Sequence, residues 1–279
     1  MKPMRGILFV VLTAGLLLPG RALAQAQTAP PPTQGTYEPK VGQAGKDVVW
    51  VPSPESTVEK MLDVAKVTPQ DFVVDLGSGD GRNVIAAARR GARGLGVEYN
   101  PDMVELSKRN AQKAGVADKA QFVQGDMYAA EFQQATVLAL FLLPENLNKL
   151  RAKFAELKPG TRIVANTFGI EGWTPEESIT IEGDCTSWCT VLLYYVPAKV
   201  DGVWQTAKGE LSLKQEFHTI TGTLAGAPIE SVKIRGDQLG FTAAGAEYSG
   251  RVNGNTITGV VKTGGSQTAW TAKKSGSGL

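Results

Sequence analysis

The chain has 279 residues, of which 42% are hydrophobic and 20% are charged, so it can bury a sizeable core and is somewhat long for a single domain. It has 29 basic and 27 acidic residues, and three of the basic residues lie within residues 1–24, which leaves 26 basic residues in the rest of the chain. A chain this close to neutral lacks the basic surface that DNA- and RNA-binding proteins need, so we expect no nucleic-acid partner.

Residues 1–24 have the pattern of a secretory signal peptide. Lys2 and Arg5 precede an apolar run over residues 7–18, which is too short to span a membrane comfortably, and an Ala-Leu-Ala cleavage motif ends at Ala24. We therefore expect cleavage after Ala24 and export, with the periplasm as the destination. The alternative is an uncleaved segment that anchors the protein near a membrane.

Residues 25–47 are rich in Pro, Gln, Gly and Thr, which predicts a flexible linker. The apolar stripe of residues 58–65 then has helical spacing and predicts the first helix. Ser53 can cap this helix with Pro54 in its first position, and a capping box that starts at Ser56 is the alternative.

A strand, a glycine-rich turn, a helix and a second strand follow within residues 71–101. The apolar residues before Asp75 predict a parallel strand that is buried on both faces. Gly77, Gly79 and Gly81 come next, and glycines in this alternation allow positive φ angles and bring backbone N–H groups against a ligand. A helix is expected over residues 82–90 and a second strand over residues 94–99.

The charges in and around this turn distinguish between two nucleotide-binding interpretations. A dinucleotide site needs a third glycine inside the helix, where this chain has Arg82. Asp75 and Asp80 would repel a pyrophosphate, but they suit S-adenosylmethionine, which carries an ammonium and a sulfonium. Glu98, at the end of the second strand, serves either cofactor, since both have ribose hydroxyls. A turn without any ligand is the third interpretation, and S-adenosylmethionine is the one we favour.

Strands and helices continue to alternate after the second strand. We expect helices over residues 100–113 and 144–157, and strands over residues 121–126, 136–142, 162–168, 178–182 and 190–197. The last two strands are too close for a crossover helix and should form an antiparallel hairpin. The predicted fold is α/β, a doubly wound, mostly parallel, Rossmann-like seven-stranded sheet that ends in this hairpin.

Residues 201–279 show no helical period and predict a small all-β C-terminal module. Short alternating segments are broken by turns, and Asn253-Gly254 is a strong hairpin signal. We expect an antiparallel barrel or sandwich of about six to eight strands. Trp204 and Trp270 lie near the two ends of this region, and we expect them to close the two ends of its core.

Cys185 and Cys189 are the only cysteines, and they lie between the two hairpin strands. No further ligand is nearby, so the sequence predicts no metal site. Two buried free thiols remain one interpretation. We favour a disulfide formed after export, because the hairpin places the two sulfurs on opposite arms of one loop. Such a bridge should stabilise the protein by at most about 2 to 3 kcal/mol and should pin the hairpin tip without touching the cofactor site.

Six short motifs point to a known family: VPSP before the first helix, DLGSGDGR in the turn, EYNP, GDM and LLPENL after the second, third and fourth strands, and GWTP near residue 173. Over residues 48–200 the chain resembles class I S-adenosylmethionine-dependent methyltransferases. Within them it is most similar to the family of the ATP-synthase c-subunit lysine methyltransferases and their bacterial relatives. The resemblance implies methylation of a protein amine, such as a lysine.

The resemblance also assigns roles around the cofactor S-adenosylmethionine. Asp75 and Gly77 would face its methionine part, Glu98 its ribose hydroxyls, and Asp126 its adenine amine, with Met127 beside the ring. A turn residue at the end of a strand is the other interpretation of Asp126. The full cofactor-binding set in chain order is Asp75, Gly77, Ser78, Gly79, Glu98, Tyr99, Asp126 and Met127.

The catalytic side of the site is less clear from the sequence, which names no catalytic base. The only histidine, His218, lies outside the methyltransferase region, and methyl transfer can rely on proximity and orientation. The residues expected to border the acceptor pocket are Leu143, Pro144, Glu145 and Trp173. Glu145 is either a base or an acid that stabilises a helix N-terminus.

The absence of an Asn/Asp-Pro-Pro-Tyr motif argues against methylation of nucleobase amines. Because S-adenosylmethionine is made in the cytoplasm, the alternative function is an exported protein that binds this molecule or a nucleoside without turnover.

Overall fold

The structure, a computed structural model, describes residue 1, residues 37–183 and residues 185–276. The expected signal peptide, with its cleavage site after Ala24, lies outside the described residues. Within the described residues, no helix is long and apolar enough to cross a membrane.

A seven-stranded sheet forms the centre of the first domain. Its strands are β1 (Phe72–Leu76), β2 (Arg93–Glu98), β3 (Ala120–Gln124), β4 (Val137–Leu140), β5 (Arg162–Asn166), β6 (Glu177–Thr180) and β7 (Thr190–Tyr195). They lie in the order β3-β2-β1-β4-β5-β7-β6. Neighbours among β1 to β5 pair in parallel, whereas β7 is antiparallel to both β5 and β6. The predicted α/β sheet with a terminal antiparallel hairpin is confirmed.

Helices cover both faces of this sheet, which explains why its strands are apolar on both sides. The helices are α1 (Glu55–Val64), α2 (Arg82–Arg89), α3 (Pro101–Lys113) and α4 (Pro144–Ala155). Val73 packs in a buried cluster with α1 and α2, and the next residue, Val74, packs with α4 in a second cluster. The period of two along β1 therefore places consecutive side chains in different halves of the core.

The start of α1 differs from the prediction. Pro54 occupies the N-cap position and no side chain caps the helix, while Ser56 lies inside it. Ser53 is buried, and its hydroxyl accepts a hydrogen bond from the Asn166 side-chain amide at 3.1 Å. Its carbonyl oxygen accepts one from Arg82 at 2.5 Å. The prediction that Ser53 caps α1 is wrong, because a buried amide on β5 competes successfully for its hydroxyl.

The second domain is one nine-stranded antiparallel sheet with its own buried core. Its strands are β8 (Gly202–Thr206), β9 (Gly209–Glu216), β10 (Thr219–Leu224), β11 (Ala227–Pro228), β12 (Glu230–Arg235), β13 (Gln238–Ala243), β14 (Ala246–Asn253), β15 (Thr256–Thr263) and β16 (Ser266–Lys274). The predicted all-β module is present with one strand more than expected, since the two-residue β11 is too short to show a period. Trp204 is fully buried, whereas Trp270 is only partly buried and packs against Phe241 and Tyr248.

Candidate functional site

The site lies beyond the carboxyl ends of β1, β2 and β4, where the strand order changes direction and α/β proteins commonly bind ligands. Two adjoining cavities form it, and Gly77 and Phe141 line both of them. Every residue that the sequence assigns to the cofactor lines one of these cavities: Asp75, Gly77, Ser78, Gly79, Glu98, Tyr99, Asp126 and Met127.

The turn between β1 and α2 has the backbone that its glycines predict. Gly77, Gly79 and Gly81 have φ angles of 76°, 53° and 86°, which lie in the left-handed region that side chains disfavour. The surroundings leave no room for a side chain either. A Cβ atom on Gly79 would lie 2.7 Å from the indole nitrogen of Trp50, and one on Gly81 would lie 2.6 Å from Phe122. The turn is therefore a close-fitting cradle of backbone.

Asp75 makes one cavity suited to a positive charge. Its side chain is almost fully buried, and it accepts a hydrogen bond from the Asn83 amide at 3.0 Å. Burial raises the pKa of Asp75 well above its usual value, and the negative charges of Glu98 and Asp80 raise it further, although the Asn83 hydrogen bond lowers it. A ligand that brings an ammonium group here would supply the missing counter-charge. A pyrophosphate would instead add further negative charge to these three carboxylates.

Asn83 is a site residue that the sequence reasoning missed. Its amide nitrogen donates to Asp75 and also to the Ala139 carbonyl at 3.3 Å. Its side-chain oxygen is buried and has no hydrogen-bond partner among the described residues. The Ser78 hydroxyl, which lines the same cavity, is likewise buried without a hydrogen-bond partner among the described residues. An unpaired acceptor beside Asp75 fits a ligand ammonium. In the sequence, the signal for Asn83 as a site residue was a polar side chain among apolar neighbours in α2.

Glu98 is held in place by two backbone groups. One carboxylate oxygen accepts a hydrogen bond from the Gly79 N–H at 2.9 Å, and the other accepts one from the Asn100 N–H at 2.9 Å. Each oxygen keeps a second acceptor direction, so the carboxylate can also receive two hydroxyl groups of a ligand. This is the arrangement that a ribose with two neighbouring hydroxyls requires.

Asp126 lies on the other side of the same cavity and has a partner that the sequence did not suggest. It accepts a hydrogen bond from the Tyr128 backbone N–H at 2.8 Å and forms a salt bridge with the Lys46 ammonium at 2.6 Å. The Lys46 hydrogen bond, followed by that of Tyr128, lowers the pKa of Asp126. Lys46 also lies 5.0 Å from the centre of the Tyr99 ring. One lysine thus contacts both Asp126, which the resemblance assigns to the adenine amine, and the ring of Tyr99, another member of the expected cofactor-binding set.

Lys46 belongs to a short turn formed by residues 42–50, which we call the N-terminal strap. Gly42 N–H donates to the Trp50 carbonyl at 2.8 Å, and Trp50 N–H donates to the Gln43 carbonyl at 2.9 Å. Residues of this strap line the cavity that also contains Glu98 and Asp126. The flexible linker expected up to residue 47 therefore ends earlier, because its last residues fold over the site.

None of the four residues expected on the acceptor side lines either cavity. Leu143, Pro144 and Glu145 are exposed at the start of α4 and do not line either cavity. Trp173 is buried in the core, where its ring stacks on Phe217 of the β module with 5.4 Å between ring centres. Trp173 lines neither cavity and instead seals the contact between the two domains.

Phe141, just before those residues in the chain, lines both cavities, and two more aromatic rings pack against it. Phe168 lies 6.3 Å from Phe141 between ring centres and is nearly parallel to it. Trp188 lies 5.7 Å from Phe141 and 5.5 Å from Phe168. We call these three residues the aromatic triad.

The loop that carries Trp188 contains the Cys185–Cys189 disulfide. The sequence placed this bridge at the hairpin tip, away from the cofactor site. Its loop instead reaches that site, because Trp188 contacts Phe141, which lines both cavities. Among the described residues, no group of three or more His, Cys, Asp or Glu side chains could hold a metal ion.

Comparisons with known proteins agree with this geometry. Residues 75–177 match the family model of the ANTKMT methyltransferase domain. The chain is 41% identical over 152 residues to a protein-lysine N-methyltransferase of Saccharolobus islandicus, a match that covers 53% of this chain and 94% of that protein. It is 36% identical to the ATP-synthase c-subunit lysine N-methyltransferase of Mus musculus, covering 50% of this chain and 56% of that protein. The chain thus spans only about half the length of the mouse relative.

A solved structure supplies the link to the cofactor. The crystal structure of an RNA methyltransferase from Salinibacter ruber in complex with S-adenosyl-L-homocysteine matches with a TM-score of 0.50 and 45% identity, covering 54% of this chain and 96% of that one. The relatives are named as methyltransferases, so they give no support to a binding protein without turnover. The unpaired Asn83 oxygen, buried Asp75 and the glycine cradle all fit S-adenosylmethionine. The chain therefore belongs to the family of S-adenosylmethionine-dependent methyltransferases that the ANTKMT methyltransferase domain defines.

Proposed function

We propose that this enzyme methylates the side-chain amine of lysine in a protein. The observation on which the proposal rests is the similarity to the protein-lysine N-methyltransferase of Saccharolobus islandicus, which extends over 94% of that protein. The site is compatible with this assignment, since its carboxylates suit a cationic cofactor and an aromatic surface borders both cavities.

The residues of the cleft divide the work of binding between the two ends of the cofactor. When bound, S-adenosylmethionine supplies an electrophilic methyl group on a sulfonium. Asp75 and Asn83 offer acceptors to an ammonium at one end, and Glu98 offers two oxygens to the ribose hydroxyls. Asp126 offers a carboxylate to the adenine amine. These residues would hold the cofactor in one orientation, and orientation of this kind accounts for a large part of the rate of such transfers.

Methylation of RNA is a second candidate, because the Salinibacter ruber protein with 45% identity is named as an RNA methyltransferase. The charge of this chain favours a protein acceptor instead. Its 29 basic and 27 acidic residues nearly cancel, whereas binding to a phosphate backbone needs a clear excess of basic groups on one surface.

The test is transfer of a trideuterated methyl group from labelled S-adenosylmethionine to a cell extract. One half of the extract is treated beforehand with ribonuclease and the other half with protease. We expect label that survives ribonuclease and appears as methyl-lysine after acid hydrolysis and mass spectrometry. Label that is lost with ribonuclease, and that appears in a nucleoside, would replace the proposal with the RNA candidate.

We further propose that the enzyme acts after export. The signal-like pattern of residues 1–24 and the Cys185–Cys189 disulfide support this, since structural disulfides persist in oxidising compartments. Mass spectrometry of the protein from fractionated cells should find a mature N-terminus at Gln25 in the periplasmic fraction. An intact N-terminus in the cytoplasmic fraction, with two free thiols, would contradict the proposal.

A further inference from the structure

The aromatic triad is assembled by three separate loops at one edge of the sheet. Phe141 directly follows β4, Phe168 lies two residues beyond β5, and Trp188 lies in the loop between β6 and β7. Ring centres in the triad are 5.5 to 6.3 Å apart, which is contact distance for aromatic pairs. Three loops therefore converge to build one aromatic surface.

This surface borders both cavities of the site. Phe141 lines the cavity that contains Asp75 and also the cavity that contains Glu98 and Asp126. The first cavity suits the methionine end of the cofactor and the second suits the adenosine end. The sulfonium joins these two ends, so Phe141 lies beside the junction, and Phe168 and Trp188 extend the surface away from it.

The backbone is in an unusual conformation at Trp188 and at the residue before Phe168. Thr167, which precedes Phe168, has φ of 63°, and Trp188 has φ of 58°. β-branched and bulky residues rarely adopt such angles, and they persist only where the surrounding structure enforces them. The backbone conformation of Thr167 is held by a hydrogen bond from its N–H to the Thr190 carbonyl at 2.7 Å.

The loop of Trp188 is held by a disulfide and by a hydrogen bond to α1. The disulfide joins Cys185 to Cys189, with 5.8 Å between their Cα atoms. The buried hydroxyl of Thr57 on α1 donates to the Trp188 carbonyl at 3.2 Å and lies 3.7 Å from the Cys185 sulfur. Trp188 nonetheless keeps 38% of its surface exposed. A fixed and exposed indole beside a reaction centre is suited to receiving a substrate.

An aromatic surface meets the needs of an alkylamine acceptor. Aromatic faces attract an ammonium group and contact the methylene chain that carries it. Removal of water also favours the neutral amine, which is the form that attacks the methyl carbon. The amine nitrogen forms the new N–C bond as the S–C bond breaks, and the resulting ammonium releases a proton to solvent. The electron pair of the broken bond stays on sulfur.

We propose that Phe141, Phe168 and Trp188 form the acceptor-binding surface of this enzyme, selective for a lysine-like alkylamine, and that the Cys185–Cys189 disulfide positions Trp188. This inference rests on the proposed lysine methylation and names the residues that select the acceptor. Trp188 is the member to test, since it is the most exposed and is far in sequence from the cofactor residues.

The first experiment needs no turnover. Choline and its uncharged isostere 3,3-dimethylbutan-1-ol are titrated into the full-length protein saturated with S-adenosyl-L-homocysteine, and tryptophan fluorescence is recorded. We expect choline to quench fluorescence at about tenfold lower concentration than the alcohol, because only the cation is attracted to the ring faces. Trp188→Phe should remove most of the signal, and Trp270→Phe, in the β module, should leave it unchanged. Equal responses to both compounds, or a signal that survives Trp188→Phe, would overturn the proposal.

The second experiment measures methyl transfer to a peptide with one central lysine. Trp188→Ala should raise the KM for the peptide about tenfold, while Trp188→Phe restores most of the affinity and the Kd for S-adenosyl-L-homocysteine stays the same. The double variant Cys185→Ser and Cys189→Ser should raise the same KM without changing cofactor affinity. An unchanged KM in Trp188→Ala would refute the role of the triad. Selective choline binding without any lysine methylation would instead reject the proposed function alone.

Discussion

Replacement of Glu98 by Gln tests the cofactor site most directly. Both oxygens of this carboxylate accept backbone hydrogen bonds, from Gly79 and Asn100, each at 2.9 Å. A glutamine has one acceptor oxygen, so its amide nitrogen would face one of these N–H groups, and the ribose hydroxyls would lose a charged acceptor. A hydrogen bond to a charged group contributes about 1.5 to 3 kcal/mol. The loss of one such bond predicts binding that is weaker by about tenfold to a hundredfold.

The assay is isothermal titration calorimetry with S-adenosyl-L-homocysteine. Glu105→Gln is the matched control, because Glu105 lies on the exposed face of α3 and, in the part of the chain that the structure describes, forms an ion pair only with Lys108, three residues away. We expect the control to bind like the wild type, and urea unfolding should show that both variants fold. A Kd for Glu98→Gln within about threefold of the wild type would refute the role of Glu98 in cofactor binding.

Three further predictions concern the strap, a buried ion pair and the glycine turn. Lys46→Met should tighten S-adenosyl-L-homocysteine binding by up to about fivefold in calorimetry, because Asp126 then has no competing ammonium. Asp71 is buried; burial would raise its pKa, but hydrogen bonds from Thr136 and Thr68 and the Arg162 guanidinium outweigh it and lower the pKa. The stability that Asp71 contributes is thus present above the unfolded-state pKa and is lost as the pH falls through the folded one. Asp71→Asn should therefore cost about 2 to 3 kcal/mol at pH 7 in urea unfolding, a difference that is full above about pH 4 and shrinks progressively as the pH falls below it. Gly81→Ala should cost about 1 to 3 kcal/mol in the same assay, because its Cβ would meet Phe122 at 2.6 Å.

Each of these variants has a matched control elsewhere in the chain. Lys40→Met removes a lysine near the strap, and Asp118→Asn removes an exposed carboxylate; neither should change its assay. Gly115→Ala also replaces a glycine with a positive φ, but nothing lies within 4 Å of the added Cβ. It should therefore cost less than Gly81→Ala. Weaker cofactor binding in Lys46→Met, a difference for Asp71→Asn that does not shrink between about pH 4 and about pH 2, or equal costs at the two glycines would contradict the respective arguments.

The sequence by itself determined the α/β sheet and the cofactor half of the site. Both follow from features within a few residues of each other: alternating apolar strands and helices, and glycines that allow positive φ angles next to Asp75. The carboxyl ends of neighbouring parallel strands meet at one edge of the sheet. The strand pattern alone therefore predicts that Glu98 and Asp126 lie close together, and both line one cavity.

Only the tertiary structure brought the aromatic triad together and placed Lys46 of the strap on Asp126. Lys46 and Asp126 are 80 residues apart, and Ser53 and Asn166 are 113 residues apart, so no local pattern connects them. The same holds for the aromatic triad, whose members come from three loops. Periodicity indicates which side of a helix or strand is buried, but it does not indicate which other residues that side contacts. That choice depends on how the strands are ordered and on which side chains compete for the same group, and both are settled only when the chain is folded.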